Sequence, residues 1–590
     1  MKSLHIGYDA AGRQIQVSPA ERKIHMHVIG SSGSGKSKFL EWMMRGDLHS
    51  GQGFCLLDPH GTLYDDVVEY TAHHVLDREI VLLNLSKPDS VIGFNPFRRT
   101  AGADISVQVD RRLSATFHAW GVANADATPT LERTLRLVYT VMLEHNLGLP
   151  QAAHLIDFNA GEVRGHLIDQ LQTPLVQREW RELQSLKARD WREETLSAKN
   201  RLFRLLSSTA LSRFMGLPER SLDLQEAMDQ GKIILVNLAA SDHLSQENAR
   251  VFGALLINEF FECGLRRQRQ PNGDDPTPYY LYLDEFADFV SLDIAAMLDR
   301  VRKFGLFMVL AHQRFGQLDE NLIDAVLSEC KIKAVFGGLP YESAKLMAQE
   351  LFIGEMDPKK IKAAIYQTKF WPQYSRDKVY THTAGYSEVS ASGTSSMSGF
   401  SAGSTAGEAF TPGDWFGAPT QVGLSSVSSS GSSSVSGNSK MEADTYSESD
   451  SVADIPIFVP VPFQELSSVQ YYSLDEQLME LTAALKEQYG RHCFIKIQQQ
   501  ETQPMLVPMV QTYFTSQSNK DWYLTKQFSR QDALPPADVD RLLESQEQAL
   551  MDEAAPLIEQ AVALPQPKRR GSARQSLFAT IKETGKPSDS

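Results

Sequence analysis

The chain has 590 residues, 42% of them apolar and 22% charged, proportions that suit a soluble globular protein of two or more folding units with at least one large core. Its four cysteines (Cys55, Cys263, Cys330 and Cys493) show no CxxC spacing, which argues against a disulfide framework and a structural zinc site and places the chain in a reducing cytoplasm. No apolar run reaches the roughly 18–20 residues that span a bilayer, no signal-peptide core opens the chain, and a net charge of −15 leans against a protein that coats nucleic acid while leaving room for a narrow, locally basic channel.

Residues 3–30 read as short strands and end in the run His25-Met-His-Val-Ile-Gly30. The segment behind the following glycine-rich stretch sets Phe39, Leu40 and Met43 at helical spacing. Residues 53–58 and 79–86 are short and almost wholly apolar, the texture of strands buried on both faces of a parallel sheet. Strand, loop, helix and strand in this order begin an α/β fold. Residues 1–98 are therefore expected to form the first part of an α/β core.

From 99 to 228 strand signals nearly vanish. Leu131, Leu135, Val138 and Met142 form one helical stripe, and residues 180–208 read as a long, highly charged helix. This stretch is expected to be a helical insertion, because strands resume after it. They return at residues 231–240, 279–286, 306–313 and 331–339, with a helix over 246–268 between the first two, so 229–372 completes the core. Residues 383–453 are serine-rich and low in large apolar residues, a linker that cannot bury enough surface to order itself. A small C-terminal region is expected over 454–565, with a helix near 473–490 and a strand at 492–498, and a flexible tail over 566–590.

The chemistry starts at Gly30-Ser31-Ser32-Gly33-Ser34-Gly35-Lys36-Ser37, a match to GxxxxGK[ST]. Glycines let such a loop wrap closely, so backbone N–H groups and a helix N-terminus face phosphates. Lys36 then reaches the β- and γ-phosphates of ATP and the Ser37 hydroxyl ligates Mg2+. The second element is the apolar strand that ends in Asp284-Glu285. Asp284 is placed to hold the Mg2+ shell, and Glu285 to polarise a water for in-line attack. Asp58 also ends a buried strand; it either faces the nucleotide or caps the turn before Pro59. Beside it, His60 reads as a loop histidine. Gln313 ends the strand 306–313 and projects toward the γ-phosphate between the P-loop and Asp284, while His312 reads as packing. Arg300, Arg302, Lys303 and Arg314 cluster at the same edge. Arg302 and Arg314 are the candidates for an arginine finger acting across a subunit boundary, against a reading of each as solvated charge. Arg266, Arg267 and Arg269 read as a solvated helix end.

In their order, GSSGSGKS, LLDPHG, IGFNPF, GKIILVNLA, YLYLDEF, RKFGLFMVLAHQ and VFGGLPYESAKLMAQEL resemble the HerA/FtsK superfamily of P-loop ATPases. Within it they are similar to the TraD/TraG-like coupling ATPases of type IV secretion and conjugation, over residues 20–355. The resemblance implies a RecA-like core of ASCE type, with Glu285 as catalytic glutamate and Gln313 as sensor. It also implies a homo-hexameric ring with ATP sites between subunits and a central channel that threads DNA, or sometimes protein. Coupling proteins of this group usually carry N-terminal transmembrane helices, and HerA an N-terminal β-barrel; residues 1–29 have room for neither.

The leading expectation is thus an ATP-hydrolysing ring motor that moves DNA. The chain is expected in the cytoplasm, or recruited by a partner to the inner face of the membrane. Two alternatives stay open. One is a motor for protein substrates or secretion assembly. The other is a nucleotide-switched scaffold in a mobile-element or phage-defence system, whose serine-rich and C-terminal parts recruit a protein partner. A P-loop kinase fits poorly, because an Asp-Glu pair with a strand-end glutamine suits attack by water.

Overall fold

The computed structural model describes residues 3–100, 102–122, 128–267, 276–289, 298, 300–390, 406–410, 421–426 and 442–563. The tail expected at 566–590 and Arg269 lie outside them. The chain divides into two compact units, one formed by Met1–Pro358 with Tyr472–Ser590 and the other by Lys359–Tyr471.

The first unit is built on an 11-stranded sheet. In chain order its first elements are β1 (Leu4–Tyr8), β2 (Gln14–Val17), β3 (Met26–Ile29), α1 (Lys36–Ser50), β4 (Gly53–Asp58), α2 (Thr62–His73) and β5 (Ile80–Asn84). A helical run follows: α3 (Ile105–Ala119), α4 (Pro129–Glu144), α5 (Ala152–Ile156), α6 (Gly161–Asp169), α7 (Pro174–Gln184), α8 (Ala188–Leu206), α9 (Thr209–Met215) and α10 (Leu224–Asp229). The core resumes with β6 (Ile233–Asn237), α11 (Gln246–Arg267), β7 (Tyr279–Leu283), β8 (Leu306–His312), α12 (Glu320–Glu329), β9 (Ile332–Phe336) and α13 (Tyr341–Phe352).

The sheet order runs β9-β3-β8-β7-β4-β6-β5 through its parallel part. β3, β4, β6, β7, β8 and β9 are buried along their whole length. That follows from their largely apolar composition, since helices cover both faces. Alternate residues of one strand feed opposite cores. Phe54 and Leu56 pack with Phe39, Leu40, Val67 and Val68 of α1 and α2. Cys55 and Leu57 belong to the core that contains the apolar faces of α3, α4 and α11. The expected mainly parallel α/β core and its helical insertion are thus both present.

The sequence suggests a separate small region at 454–565; the structure differs. Residues after Tyr472 return to the first unit as α14 (Leu474–Lys486), β14 (His492–Ile497), β15 (Gln503–Leu506), α15 (Gln517–Ser529) and α16 (Pro536–Ala563). β14 pairs antiparallel with β9, β15 with β14, and β1 with β15. Cys493, Ile495, Ile497, Met505 and Val507 are buried in the same core as Val28 and Phe39. The physical reason is an open edge: β9 would otherwise expose a row of unpaired backbone groups. α14 begins at a capping box between Ser473 and Glu476, which fixes where the chain re-enters.

The second unit is a two-stranded antiparallel ribbon, β10 (Ile361–Ser390) against β13 (Glu442–Tyr471), with a smaller pair, β11 (Ala406–Phe410) and β12 (Gln421–Ser426). Register runs from Ile361↔Tyr471 to Ser390↔Glu442. Pairing therefore reaches into the range expected to be linker at both of its ends. Residues 391–405, 411–420 and 427–441 of that range lie outside the described residues.

Candidate nucleotide-binding site

β3 ends at Ile29 and the glycine-rich loop carries the chain to α1. The first N–H groups of α1 have no earlier carbonyl within the helix, so they point into the loop as donors. Gly33 and Gly35 have φ of 78° and 108°, left-handed values that a side chain would strain. Gly30 is required for space: a Cβ there would lie 2.5 Å from Phe336 Cβ and 2.7 Å from Ser34 Oγ. The loop is therefore shaped by its glycines rather than merely tolerant of them.

β7 delivers Asp284 and Glu285 and β8 delivers Gln313. β8 lies between β3 and β7, so one strand separates the loop from the acid pair. Gln313 does stand between them. Lys36 Nζ donates to Glu285 Oε1 at 2.7 Å and lies 3.6 Å from Asp284 Oδ1. Gln313 Nε2 donates to the same Glu285 oxygen at 2.9 Å. Lys36, Asp284 and Glu285 are each at least nine-tenths buried. Burial pushes the Asp284 carboxyl up; Lys36 opposes the rise, and Glu285 and Asp58 add to it. Asp284 Oδ1 and Glu285 Oε2 are buried without a hydrogen-bond partner. Two orphaned carboxylate oxygens beside a phosphate-type loop suit a hard cation and a water, the ligand chemistry of Mg2+. Glu285 also has φ of 48°, a left-handed strain of a kind that clusters at functional sites.

Asp58 is fully buried and spends both oxygens locally. Oδ1 accepts from the His60 N–H and Oδ2 from the Tyr64 N–H, each at 2.8 Å. Of its two readings, the cap on the turn into α2 is the one these bonds display. Arg314 is exposed immediately after Gln313, and Arg302 is half-buried shortly before β8. Arg267 is not a solvated residue: it is 1% exposed, pairs with Asp229 at 2.8 Å and donates to the Thr277 carbonyl at 2.6 Å. Arg266 likewise binds Glu259 and the Thr100 hydroxyl, each at 3.0 Å.

His312 does more than pack. Its Nδ1 lies 3.1 Å from the Arg314 carbonyl oxygen, which can only accept, so Nδ1 carries the proton. Nε2 of His312 is then an acceptor, and His27 Nε2–H donates to it at 2.8 Å. The chain His27→His312→Arg314 carbonyl ties β3, just ahead of the loop, to the backbone that carries Gln313. Burial keeps both rings neutral, lowering His312 to about 3 and His27 well below the usual histidine value.

Sequence reasoning missed the clamp behind the loop. Ser31 N–H and Oγ both donate to the Gly337 carbonyl, at 3.2 and 3.1 Å, and the Arg491 N–H donates to the Ser34 carbonyl at 2.8 Å. The Gly337-Gly338 pair after a buried strand is a signal of close backbone approach. Nothing near Arg491 announces its role. A cavity of about 610 Å3, lined in part by Trp120, Arg201, Arg250 and Asp288, opens just beyond Glu285, where Arg250 pairs with Asp288 at 3.1 Å.

Strand order, the loop between β3 and α1, and the acid pair two strands away define a P-loop fold of the RecA-like, nucleotide-binding class. Within that class, residues 278–378 match the family model described as the TraM recognition site of TraD and TraG. The chain is TraD/TraG-like through this segment, which spans the acid pair, Gln313 and the start of β10. No curated protein matches it in sequence. Among solved structures, the bacterial conjugative coupling protein TrwB in an unbound form aligns over 87% of this chain and 91% of its own, at 13% identity and a TM-score of 0.44. TrwB in complex with ADP and Mg2+ aligns over 58% and 78%, at 17% identity and a TM-score of 0.38. VirB4 of Thermoanaerobacter pseudethanolicus aligns over 60% and 88%, at 13% identity and a TM-score of 0.37. Among the described residues, no helix is long and apolar enough to cross a membrane.

Proposed function

We propose that this chain is the ATP-hydrolysing subunit of a ring motor that moves DNA, of the coupling type that TraD and TraG represent. The observation that carries the proposal is the convergence of Lys36 and Gln313 on one oxygen of Glu285, with Asp284 Oδ1 and Glu285 Oε2 buried and without a hydrogen-bond partner. The loop Gly30–Ser37 cradles the phosphates through its backbone N–H groups, and Lys36 turns from Glu285 to the β- and γ-phosphates when they arrive. Ser37 and Asp284 would hold Mg2+, which would draw charge from the phosphate oxygens. Glu285, released by Lys36, accepts a proton from the attacking water, and Gln313 holds the glutamate and reports the γ-phosphate to the strand edge. Asp58 lies on the rim and fixes the turn beside the site. Arg314 and Arg302 serve as finger candidates toward a neighbouring subunit, which calls for a homo-hexamer with sites at subunit boundaries.

The matched family model names a protein-recognition site in TraD and TraG, so a protein partner docks on the 278–378 segment in addition to DNA. The same feature favours a second reading, a motor whose cargo is protein. One experiment separates them: ATPase activity is expected to rise when double-stranded DNA is added. Activity indifferent to every nucleic acid, with partner protein captured by Glu285→Gln chains in the absence of DNA, overturns the DNA motor and supports the protein one.

A further inference from the structure

The ribbon β10/β13 is built with sticky faces and blunted edges. Directly opposed residues share a face, so the register sorts its side chains. Tyr366, Phe370, Tyr374 and Tyr380 stand on one face with Phe458 and Leu466. Trp371 and Val379 stand on the other, mostly aliphatic face with Ile455, Ile457, Val459, Val461 and Phe463. Both sets are exposed, Tyr374 at 74% and Trp371 at 67%, although a lone two-stranded ribbon is marginal in water.

The edges tell the opposite story. Pro372 lies opposite Pro460, and neither has an N–H to give. That pair must be of the non-hydrogen-bonded kind, whose backbone groups point outward. Pairs two residues along have the same orientation, so Pro456 and Pro462 also strip donors from the outer edge of β13. Prolines at such positions are a device against strand addition. Over its apolar stretch the ribbon resists edge pairing and offers only its faces.

We propose that the ribbon is a self-association element, in which the aromatic face of one copy of this chain stacks on the aliphatic face of the next. Three features select a second copy as occupant. The stretch 366–380 with 452–466 carries three basic residues (Lys369, Arg376 and Lys378) and three acidic ones (Asp377, Asp454 and Glu465), so copies do not repel although the whole chain has a net charge of −15. At strand and sheet spacings, the stretch is about 50 Å long and ~10 Å wide, so a stacked pair buries on the order of 1,000 Å2 in total, enough for a specific contact. The faces are unlike, and both are apolar. A two-fold pair would stack like on like and leave one face of each copy wet, whereas unlike-face stacking is heterologous, covers both faces and gives a ring or a filament according to the rotation between copies. Such a contact between copies is independent of the nucleotide chemistry.

The test uses the full-length chain, whose native cysteines are all buried. Chains with Tyr374→Cys are mixed with chains carrying Val459→Cys, and a short bis-maleimide is added. Covalent dimers are expected in the mixture and absent from either variant alone. Dimers from one variant alone would show like-face stacking and overturn the proposal, as would their absence from the mixture. The same mixture in a Lys36→Ala background is expected to cross-link unchanged, so failure of the motor reading and failure of this one give different results. A second variant replaces residues 366–466 with a short turn. It is expected to stay folded and to form smaller assemblies than the full chain; unchanged assembly size counts against the ribbon.

Discussion

Lys36 and Glu285 are 249 positions apart in the chain, yet Nζ and Oε1 meet at 2.7 Å. The bond joins the first turn of α1 to the left-handed residue that follows β7, across the intervening strand β8. The charge of the lysine reaches both acids, and the glutamate sits in left-handed backbone.

Gln313 donates to the glutamate oxygen that Lys36 holds, so it orients the base without touching the phosphate-binding loop. Gln313→Ala is expected to lower ATP turnover by about 10- to 100-fold, less than the roughly 100- to 10,000-fold of a lost acid or base itself, with a smaller change in KM. Steady-state kinetics check this. A loss confined to KM would make Gln313 a binding residue instead.

The His27–His312 pair predicts a particular response to acid. Both rings are buried neutral, so the folded chain binds their protons at lower pH than the unfolded chain, whose histidines titrate near 6.5. The stability they contribute is complete above that value and is lost as pH falls from 6.5 toward 3, by up to about 1.4 kcal/mol per pH unit for each ring. Denaturant midpoints at pH 7.5 and 5.5 measure the slope. His27→Asn and His312→Asn are expected to be less stable at pH 7.5 but less sensitive to acid; an acid slope equal to that of the parent in both would remove the pair from the account.

The C-terminal strands belong to the core. Deleting residues 472–590 uncovers the β9 edge and the partners of Cys493, Ile495 and Met505, and frees the Ser34 carbonyl from Arg491. Each large buried side chain lost this way costs about 1.5–3 kcal/mol, and several are lost together, against a total of about 5–15 kcal/mol for an ordinary domain. The truncated chain is expected to be insoluble or to show no cooperative melt. Soluble, cooperatively melting, nucleotide-binding protein from residues 1–471 would make the C-terminal segment an accessory.

Much of the site is legible in the sequence because its parts are local. The loop Gly30–Ser37 and the pair Asp284-Glu285 each sit at the end of a short apolar run, and such runs mark buried parallel strands. Gln313 is readable for the same reason. What joins them is not local. That β8 runs between β3 and β7 is decided by pairing over long sequence distances, and no periodicity encodes it. Asp58 illustrates the ambiguity of a strand-end acid, since the His60 and Tyr64 amides that occupy it leave no trace in composition. His312 looks like packing until its neighbour across the sheet, His27, is known. β14 and β15 are short and half-polar, so their membership of the core depends on the open edge of β9, which no window around residues 492–506 contains. The ribbon escaped notice because its outer parts share the serine-rich texture of the segment between its strands.

The central claim is that one buried cluster binds and hydrolyses ATP. Equilibrium binding and single-turnover hydrolysis of Mg-ATP by the parent chain, Lys36→Ala and Glu285→Gln test it most directly. Glu285→Gln is expected to bind ATP at least as tightly as the parent while hydrolysing it about 100- to 10,000-fold more slowly, and Lys36→Ala to lose binding. Hydrolysis by Glu285→Gln at the parental rate would contradict the assignment of Glu285 and the reading of the site that depends on it.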